Sequence, residues 1–313
     1  MTMTAAATAQ TADGVDLHVT VSDPPDAQVA VVYLHGWCLS SEIYRYQRAA
    51  LTDLGVPARV VTYDMRGHGR SGKAPRGSTT IAQLASDLRV ILDEFCDDLP
   101  AILVGHSMGA MTIMALAEVN PRLFSAERVA GVIFANTAAG DLGAVTLGLP
   151  RALAGVTKSM LMRELTRRHN AHLRRGDGPV RLRVSDAAIA RHILFGRGAA
   201  REDVRLGRRL ICTAHPGVVE GFFADLLLHN RHEALARLAE VPVRVLAGGR
   251  DRLTPVGHSR RIAKALPNAR LVVYPGAGHM IPLERSDELA REIAQLATHP
   301  RRLSAGDIKI RGG

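Results

Sequence analysis

Short apolar runs rich in β-branched residues alternate with helix-like segments along most of this chain of 313 residues. Runs that are apolar throughout their length are typical of parallel strands buried on both faces. The alternation therefore predicts an α/β fold, with a mainly parallel sheet covered by helices on both faces. The predicted strands are Val29–Leu34, Ala58–Tyr63, Ala101–Val104, Val129–Phe134, Val241–Ala247 and Arg270–Tyr274.

Apolar residues spaced three and four positions apart predict helices between these strands. The predicted helices are Thr79–Phe95, Met108–Val119, Pro255–Leu266 and Asp287–Leu296. The segment Gly14–Ser22 alternates in polarity and fits an antiparallel edge strand. The two ends of the chain, about 12 and 14 residues long, are expected to fray.

Residues 138–235 interrupt the alternation, because they are rich in arginine, helical in pattern and poor in strand-like runs. We predict that they form an inserted helical cap over the C-terminal edge of the sheet, where ligands of open α/β sheets bind. The predicted α/β core then consists of residues 1–137 and 236–300, and residues 301–313 form a basic C-terminal tail.

The net charge of +10 comes from one part of the chain. Residues 151–210 contain fifteen Arg or Lys and five Asp or Glu, so the remainder is neutral. These cations are either solvated helix faces or a surface that attracts an anionic acyl carrier, a coenzyme A thioester or a membrane face. Nucleic-acid binding is not expected, because aromatic residues make up only 4% of the chain and no recognition motif occurs.

Three features predict a reduced, cytoplasmic protein. The three cysteines provide neither a disulfide framework nor a CxxC metal pair. The first residues lack the apolar region of a secretory signal, and no apolar stretch has the ~20 residues of a spanning helix. The sequence leaves the oligomeric state open.

The motif Gly105-His106-Ser107-Met108-Gly109 directly follows a predicted strand and opens a predicted helix. This is the setting of a nucleophile elbow, which lifts a serine hydroxyl into a cleft beside a helix N-terminus. The small residues at 105 and 109 fit such a tight turn. Ser107 is therefore the candidate nucleophile.

A serine hydroxyl needs a base to accept its proton, and that base needs an orienting acid. His279 follows the last predicted strand in a glycine-rich loop, and Asp251 follows the strand before it. The chain order Ser107, Asp251, His279 is that of the α/β-hydrolases. We predict these three residues as the catalytic set.

An oxyanion hole requires two N–H donors. We expect them to be the main-chain N–H groups of Met108 and Trp37, with Gly36 allowing a close approach. His35, Gly36 and His106 flank the expected cleft and are candidates for substrate binding, although a structural hydrogen-bonding role fits both histidines better than proton transfer does.

Five motifs together resemble the α/β-hydrolase superfamily. They are LHGW (34–37), DMRGHGRSG (64–72), GHSMG (105–109), GGRDRLTP (248–255) and GAGHMIPLE (276–284). The pairing of HGW with GHSMG is similar to the branch of small serine esterases and cofactor-free haloperoxidases (perhydrolases). The resemblance implies Ser107 as nucleophile, His279 as base, Asp251 as acid and Trp37 with Met108 as the oxyanion hole.

The expected function is hydrolysis of a carboxylic ester or thioester of a small acyl substrate through an acyl-enzyme on Ser107. Two alternatives remain open. One is a thioesterase, acyl-transferring or cyclising enzyme of a biosynthetic pathway that acts on an anionic acyl carrier or a coenzyme A thioester. The other is a non-catalytic binding protein on the same fold. Neither a metal nor an organic cofactor is implied.

Overall fold

The computed structural model describes residues 4–144 and 191–298, several positions between 159 and 170, and the main chain of 309–310. Its strands are Thr4–Gln10 (β1), Asp16–Ser22 (β2), Val29–Leu34 (β3), Ala58–Tyr63 (β4), Ala101–His106 (β5), Val129–Ala135 (β6), Val243–Gly248 (β7), Ala269–Tyr274 (β8) and Lys309–Ile310 (β9). They form one sheet in the order β1-β2-β4-β3-β5-β6-β7-β8-β9. β1 with β2 and β2 with β4 are antiparallel, and the other pairs are parallel.

The central strands β3, β5, β6 and β7 are buried along their whole length. Side chains of a strand alternate between the two faces of the sheet. In β3, Val32 and Leu34 accordingly join one apolar cluster, while Val31 and Tyr33 join the other. The predicted mainly parallel α/β architecture is confirmed, and the six predicted strands agree with the structure to within two residues at each end.

The helices are Arg45–Asp53 (α1), Ile81–Phe95 (α2), Met108–Val119 (α3), Arg201–Thr213 (α4), Pro216–Leu228 (α5), Val256–Ala265 (α6), Ile281–Glu284 (α7) and Ser286–Thr298 (α8). Buried residues of α2, α3, α5 and α6 belong to the first apolar cluster, and those of α1, α4, α7 and α8 to the second. Helices therefore cover both faces of the sheet, as the sequence predicts.

Two expectations about the chain start are wrong. Residues 4–10 do not fray but form β1, which pairs with β2 along its whole length. Ala9 and Thr11 are buried, so the start of the chain is anchored by side-chain burial as well as by main-chain hydrogen bonds. β2 is antiparallel as predicted, but β1 rather than β2 occupies the edge of the sheet.

The predicted cap at 138–235 lies partly outside the described residues, because most of 145–190 is not described. Of its described part, α5 packs on the first apolar cluster through Val218, Phe222 and Leu226, and α4 packs on the second through Leu206 and Leu210. The domain boundaries stay a prediction. The tail at 301–313 is described only at 309–310, where the main chain pairs with β8 and does not fray.

Within the described ranges, no single helix is long and apolar enough to cross a membrane. α4 and α5 reach that length and composition only together, as a pair bent by 99°.

Candidate active site

Ser107 forms a strained turn between β5 and α3, at the carboxyl edge of the sheet. Its main-chain angles are φ 53° and ψ −116°. Its N–H donates to the carbonyl of Ala135 at 3.0 Å, and its own carbonyl accepts from the N–H groups of Ala110 and Met111 at 3.0 and 3.2 Å. Non-glycine residues at positive φ persist only where the surrounding structure enforces them. The side chain of Ser107 stays partly exposed, as an elbow nucleophile requires.

The two glycines of the motif are required by close main-chain packing. A Cβ atom on Gly105 would lie 2.5 Å from the main-chain nitrogen of Ala110. A Cβ atom on Gly109 would collide with the main-chain carbonyl of Leu34 at the end of β3. The first α3 turn therefore lies against both β5 and β3, which fixes where the serine turn stands relative to the loop after β3.

Asp251 and His279 are in direct contact. The Nδ1 atom of His279 lies 2.8 Å from Oδ2 of Asp251. Both side chains are almost completely buried, with 4% of His279 and none of Asp251 exposed. Asp251 follows β7 and His279 follows β8, so two neighbouring parallel strands end beside one another and bring the pair together.

Asp251 is kept ionised by its hydrogen bonds. Burial by itself disfavours its charge, but the interaction with His279 and hydrogen bonds from His279 and Thr254 outweigh that cost, and the pKa of Asp251 lies below its ordinary value. Its Oδ1 accepts the N–H groups of Leu253 and Thr254 at 2.8 and 2.9 Å, and its Oδ2 also accepts the hydroxyl of Thr254 at 2.7 Å. A carboxylate held in this way fixes the proton of His279 on Nδ1 and leaves Nε2 as a proton acceptor.

His106 connects the serine turn to the histidine loop. Its Nε2 lies 2.8 Å from the carbonyl of His279, so Nε2–H donates there, and the two rings lie 4.8 Å apart between centroids. Burial and the neighbouring His279 lower the pKa of His106 to about 3, which keeps the ring neutral. A Cβ atom on Gly36 would lie 2.8 Å from Nδ1 of His106, so Gly36 permits this packing. His106, the residue before Ser107, thus anchors the main chain of His279.

Asn136 is a site residue whose positioning role the sequence does not reveal. It follows β6 at φ 46°. Its amide donates to the carbonyl of Gly278 at 2.8 Å, and its Oδ1 accepts the N–H of Gly248 at 2.7 Å. One side chain therefore joins the end of β7 to the residue before His279. The amide of Asn136 carries no acidic proton or negative charge, so this residue cannot serve as the orienting acid.

Glu284 holds the main chain on both sides of His279. Its carboxylate accepts the N–H of Gly278 at 3.0 and 3.1 Å and the N–H of Met280 at 3.2 Å. It also accepts the N–H of Gly196 at 2.7 Å. Burial raises the pKa of Glu284, and the hydrogen bonds from these three N–H groups oppose that shift. The final letter of the GAGHMIPLE motif is the only sequence signal for this residue.

Residues 194–196 lie directly against the histidine loop. The N–H of His279 donates to the carbonyl of Leu194 at 2.7 Å. A Cβ atom on Gly278 would lie 2.5 Å from the nitrogen of Gly196, so the two segments touch main chain to main chain. Any displacement of residues 194–196 would therefore be transmitted to His279.

The two predicted oxyanion donors lie at the start of α3 and in the turn after β3. Met108 is the first residue of α3, so its N–H has no acceptor within the helix. Trp37 follows β3 in a turn, and within the described part of the chain its N–H donates to no protein group. Cys38 holds φ 60°, and its N–H donates to Nε2 of His68 at 3.2 Å. The indole of Trp37 stacks on Phe223 of α5 at 5.4 Å between ring centroids.

His35 has the structural hydrogen-bonding role that the sequence favours. It is completely buried, its Nε2 accepts the N–H of Met65 at 2.9 Å, and its Nδ1 lies 2.8 Å from the carbonyl of Gly36. Both ring nitrogens are engaged with main-chain groups and no face reaches solvent. His35 therefore joins the loop after β3 to the loop after β4, and its assignment to substrate binding stays a prediction.

No group of three or more His, Cys, Asp or Glu side chains that could hold a metal ion occurs among the described residues. The candidate site consists of a serine turn, a buried imidazole–carboxylate pair and two main-chain donors. Such a set suits nucleophilic acyl transfer, in which a serine attacks a carbonyl.

Comparison with known proteins identifies the family of the chain and several of its relatives. Residues 29–286 match the α/β-hydrolase fold family. The chain is 27% identical over 271 residues to the dihydrolipoyllysine-residue acetyltransferase component of the acetoin cleaving system of Pseudomonas putida, a match that covers 84% of this chain but 62% of that protein. It is 27% identical over 292 residues to the bifunctional esterase/perhydrolase DCH of Acinetobacter calcoaceticus, covering 90% of this chain and 96% of that protein.

The fold also matches a solved structure, an esterase from Exiguobacterium antarcticum, with a TM-score of 0.74 at 18% identity over 94% of this chain and 100% of the other. The resemblance that the five motifs predict is confirmed, because the family match spans β3 to the start of α8 and contains all of them. The family match and the order of the strands in the sheet agree, and the chain belongs to the α/β-hydrolase family.

Proposed function

We propose that the protein is a serine hydrolase of carboxylic esters or thioesters, with Ser107 as nucleophile, His279 as base and Asp251 as orienting acid. The observation that carries the proposal is the buried hydrogen bond of 2.8 Å between His279 and Asp251. The carbonyl of His279 also accepts a hydrogen bond from His106, the residue that precedes the strained turn at Ser107. The names of relatives such as the esterase/perhydrolase of Acinetobacter calcoaceticus support the same chemistry.

In the acylation step, Nε2 of His279 takes the proton of Ser107 as Oγ attacks the carbonyl carbon. The carbonyl oxygen becomes an oxyanion and receives hydrogen bonds from the N–H groups of Trp37 and Met108, each worth about 3 kcal/mol in the transition state. The bond to the leaving alcohol or thiol then breaks, and His279 protonates that group. Asp251 stabilises the imidazolium without accepting its proton.

In the deacylation step, His279 removes a proton from water, and the resulting hydroxide attacks the acyl group on Ser107. The acid is released as the proton returns to Oγ. One ester and one water yield one acid and one alcohol, so the cycle needs no cofactor.

The direct test is Ser107→Ala, measured with p-nitrophenyl acetate and butyrate. We expect kcat to fall at least about 10⁴-fold while the melting temperature stays near that of the parent protein. Ser86→Ala, an exposed serine of α2, serves as the matched control and should retain full activity. A fluorophosphonate should label the parent and the control, but not Ser107→Ala. A folded Ser107→Ala protein with undiminished turnover, or labelling at another serine, would refute the assignment.

A further inference from the structure

Helix α4 has two opposite faces. Its buried face comprises Asp203, Leu206, Gly207 and Leu210. Its exposed arginines are Arg201, Arg205, Arg208 and Arg209. With about 100° of rotation per residue, the four arginines fall within an arc of about 100° centred nearly opposite the buried face. They extend over about 12 Å of helix at 1.5 Å per residue. We refer to these four residues as the arginine face.

The acids of α4 do not neutralise the arginine face. Asp203 pairs with Arg45 at 2.9 Å, and Glu202 accepts a hydrogen bond from the hydroxyl of Tyr46 at 2.8 Å. Both acids are thus directed to α1. Of the four arginines, only Arg209 has an ion pair within the described part of the chain, with Glu42.

Folding alone does not account for this arrangement. Arg201 and Arg205 are four positions apart, and Arg205 and Arg208 are three apart, so like charges are neighbours on the helix surface. Such pairs destabilise a helix by about 0.2–0.5 kcal/mol each. The arginine face also contributes nothing to the buried side of α4. A partner rich in negative charge would turn this repulsion into attraction.

The arginine face lies close along the chain to residues 194–196, which contact the loop of the candidate catalytic histidine. Arg201 follows Gly196 by five residues, which limits the separation of their Cα atoms to about 18 Å. Gly196 donates to Glu284, and Leu194 accepts from His279. A partner bound to α4 would therefore not touch the site directly. It could reach the site if it carried its substrate on a flexible tether.

We propose that the arginine face docks an acidic acyl carrier protein, which presents a tethered acyl group to Ser107; this inference rests on the proposed hydrolase function. In the reaction, the Ser107 Oγ–acyl bond forms, the thioester C–S bond breaks, and His279 protonates the departing thiol of the carrier. Water then releases the acid from Ser107. The carrier supplies complementary charge for α4, whereas a small neutral ester gains no attraction from a charged surface.

The composition of α4 favours a protein partner over other polyanions. A helix that binds in a membrane interface exposes an apolar face, but Leu206 and Leu210 of α4 are buried. Single-stranded nucleic acids are bound through aromatic stacking platforms, and α4 contains no aromatic residue. Opposed charged surfaces without an apolar patch are typical of interfaces that steer association.

The test compares three substrates with one acyl group: a butyryl thioester on an acyl carrier protein, butyryl-coenzyme A and p-nitrophenyl butyrate. The variant is Arg201→Glu/Arg205→Glu/Arg208→Glu. The matched control is Arg76→Glu/Arg122→Glu/Arg291→Glu, which makes the same charge change at three exposed arginines outside the predicted cap. We expect kcat/KM for the carrier substrate to fall at least about tenfold in the variant only, with less than about twofold change for the other two substrates. The parent's rate on the carrier should also fall steeply between about 0.02 and 0.5 M salt.

Each other outcome overturns the docking proposal. An equal loss on butyryl-coenzyme A would assign the face to phosphate recognition, and an equal loss on the p-nitrophenyl ester would assign it to the integrity of the site. An unchanged carrier rate in the variant, the same loss in the control, or no cleavage of the carrier substrate by a parent that cleaves the p-nitrophenyl ester would also overturn it. Failure of the hydrolase proposal is distinct, because the parent would then cleave none of the three substrates.

Discussion

At the scale of single residues, His279 is held at its ring, its amide and its carbonyl by three different parts of the chain. Asp251 binds the ring, Leu194 accepts the N–H, and His106 donates to the carbonyl. The loop around it is held in turn by Asn136 and Glu284. The orientation of the imidazole is therefore fixed before any substrate binds, which is the condition for efficient proton transfer.

Glu284→Gln should lower kcat by about tenfold and leave KM nearly unchanged. The amide replaces one acceptor oxygen by a donor, so at least one of the N–H groups around it loses its partner, at about 1–3 kcal/mol. The consequence is a displaced histidine loop rather than a lost substrate contact. Kinetics with p-nitrophenyl butyrate across pH 5–9 would measure it. Glu288→Gln, half-buried on α8, is the control. A fall confined to KM would contradict a positioning role.

The sequence predicts Ser107, Asp251 and His279 as one candidate set because each stands in a local motif soon after a strand, and the structure brings Asp251 and His279 into contact. The supporting residues are not predictable in this way. Asn136 and Gly248 are 112 positions apart, and Glu284 and Gly196 are 88 apart. Their partners are main-chain groups, which every residue type carries. The sequence therefore does not indicate which residues pair. For His35 the sequence favours a structural hydrogen-bonding role, but its partners, Met65 and Gly36, become known only from the packing of two loops.

At the scale of elements, the contact between the start of α3 and the end of β3 determines the distance between the two proposed oxyanion donors. Met108 begins α3 and Trp37 follows β3, and Gly109 touches Leu34 between them. The spacing of the donors thus depends on one position without a side chain.

Gly109→Ala should destabilise the protein by about 1–3 kcal/mol or more, because the added methyl meets main chain that cannot move aside. Activity should fall further than stability explains, since α3 would shift away from β3. Urea unfolding and p-nitrophenyl ester kinetics would measure both. Gly198→Ala introduces the same methyl where no atom lies within 4 Å and should behave like the parent. Equal behaviour of the two variants would exclude the packing argument.

Continuous apolar strands and amphipathic helices are the elements that the sequence predicts well. Helix α1 is missed because its buried side consists of Gln47 and Leu51, and Gln47 is buried by hydrogen bonds to the carbonyls of Pro282 and Ser286. β1 is missed because its sequence, TAAATAQ, contains no β-branched apolar residue. In both elements, tertiary contacts supply what local propensity does not.

At the scale of the whole molecule, several histidines are buried without charge around the candidate site. Burial lowers the pKa of His68 and of His106 to about 3, and that of His229 to about 4. In an unfolded chain each would titrate near 6.5. Between these values the unfolded state binds more protons than the folded state, so acid favours unfolding.

The contribution of these histidines to the free energy of unfolding should therefore be constant above about pH 6.5. It should decrease as the pH falls toward about 3, by up to about 1.4 kcal/mol per pH unit for each such histidine. Urea unfolding at pH 7.5 and 5 would measure the slope. His68→Gln should reduce the slope by the share of one proton, whatever its effect at pH 7.5. His192→Gln, at an exposed position, should leave the slope unchanged. A slope in His68→Gln equal to that of the parent would contradict the linkage.

The main-chain contact between Leu194–Gly196 and the loop of His279 has a practical consequence for protein engineering. A chimera that imports the predicted cap from a homologue would place a foreign segment against the loop of His279, the proposed base, if its downstream junction lay beyond Gly196. A junction upstream of Leu194 would retain the native contact with the loop of His279. The exchanged region could then alter specificity without displacing the proposed base.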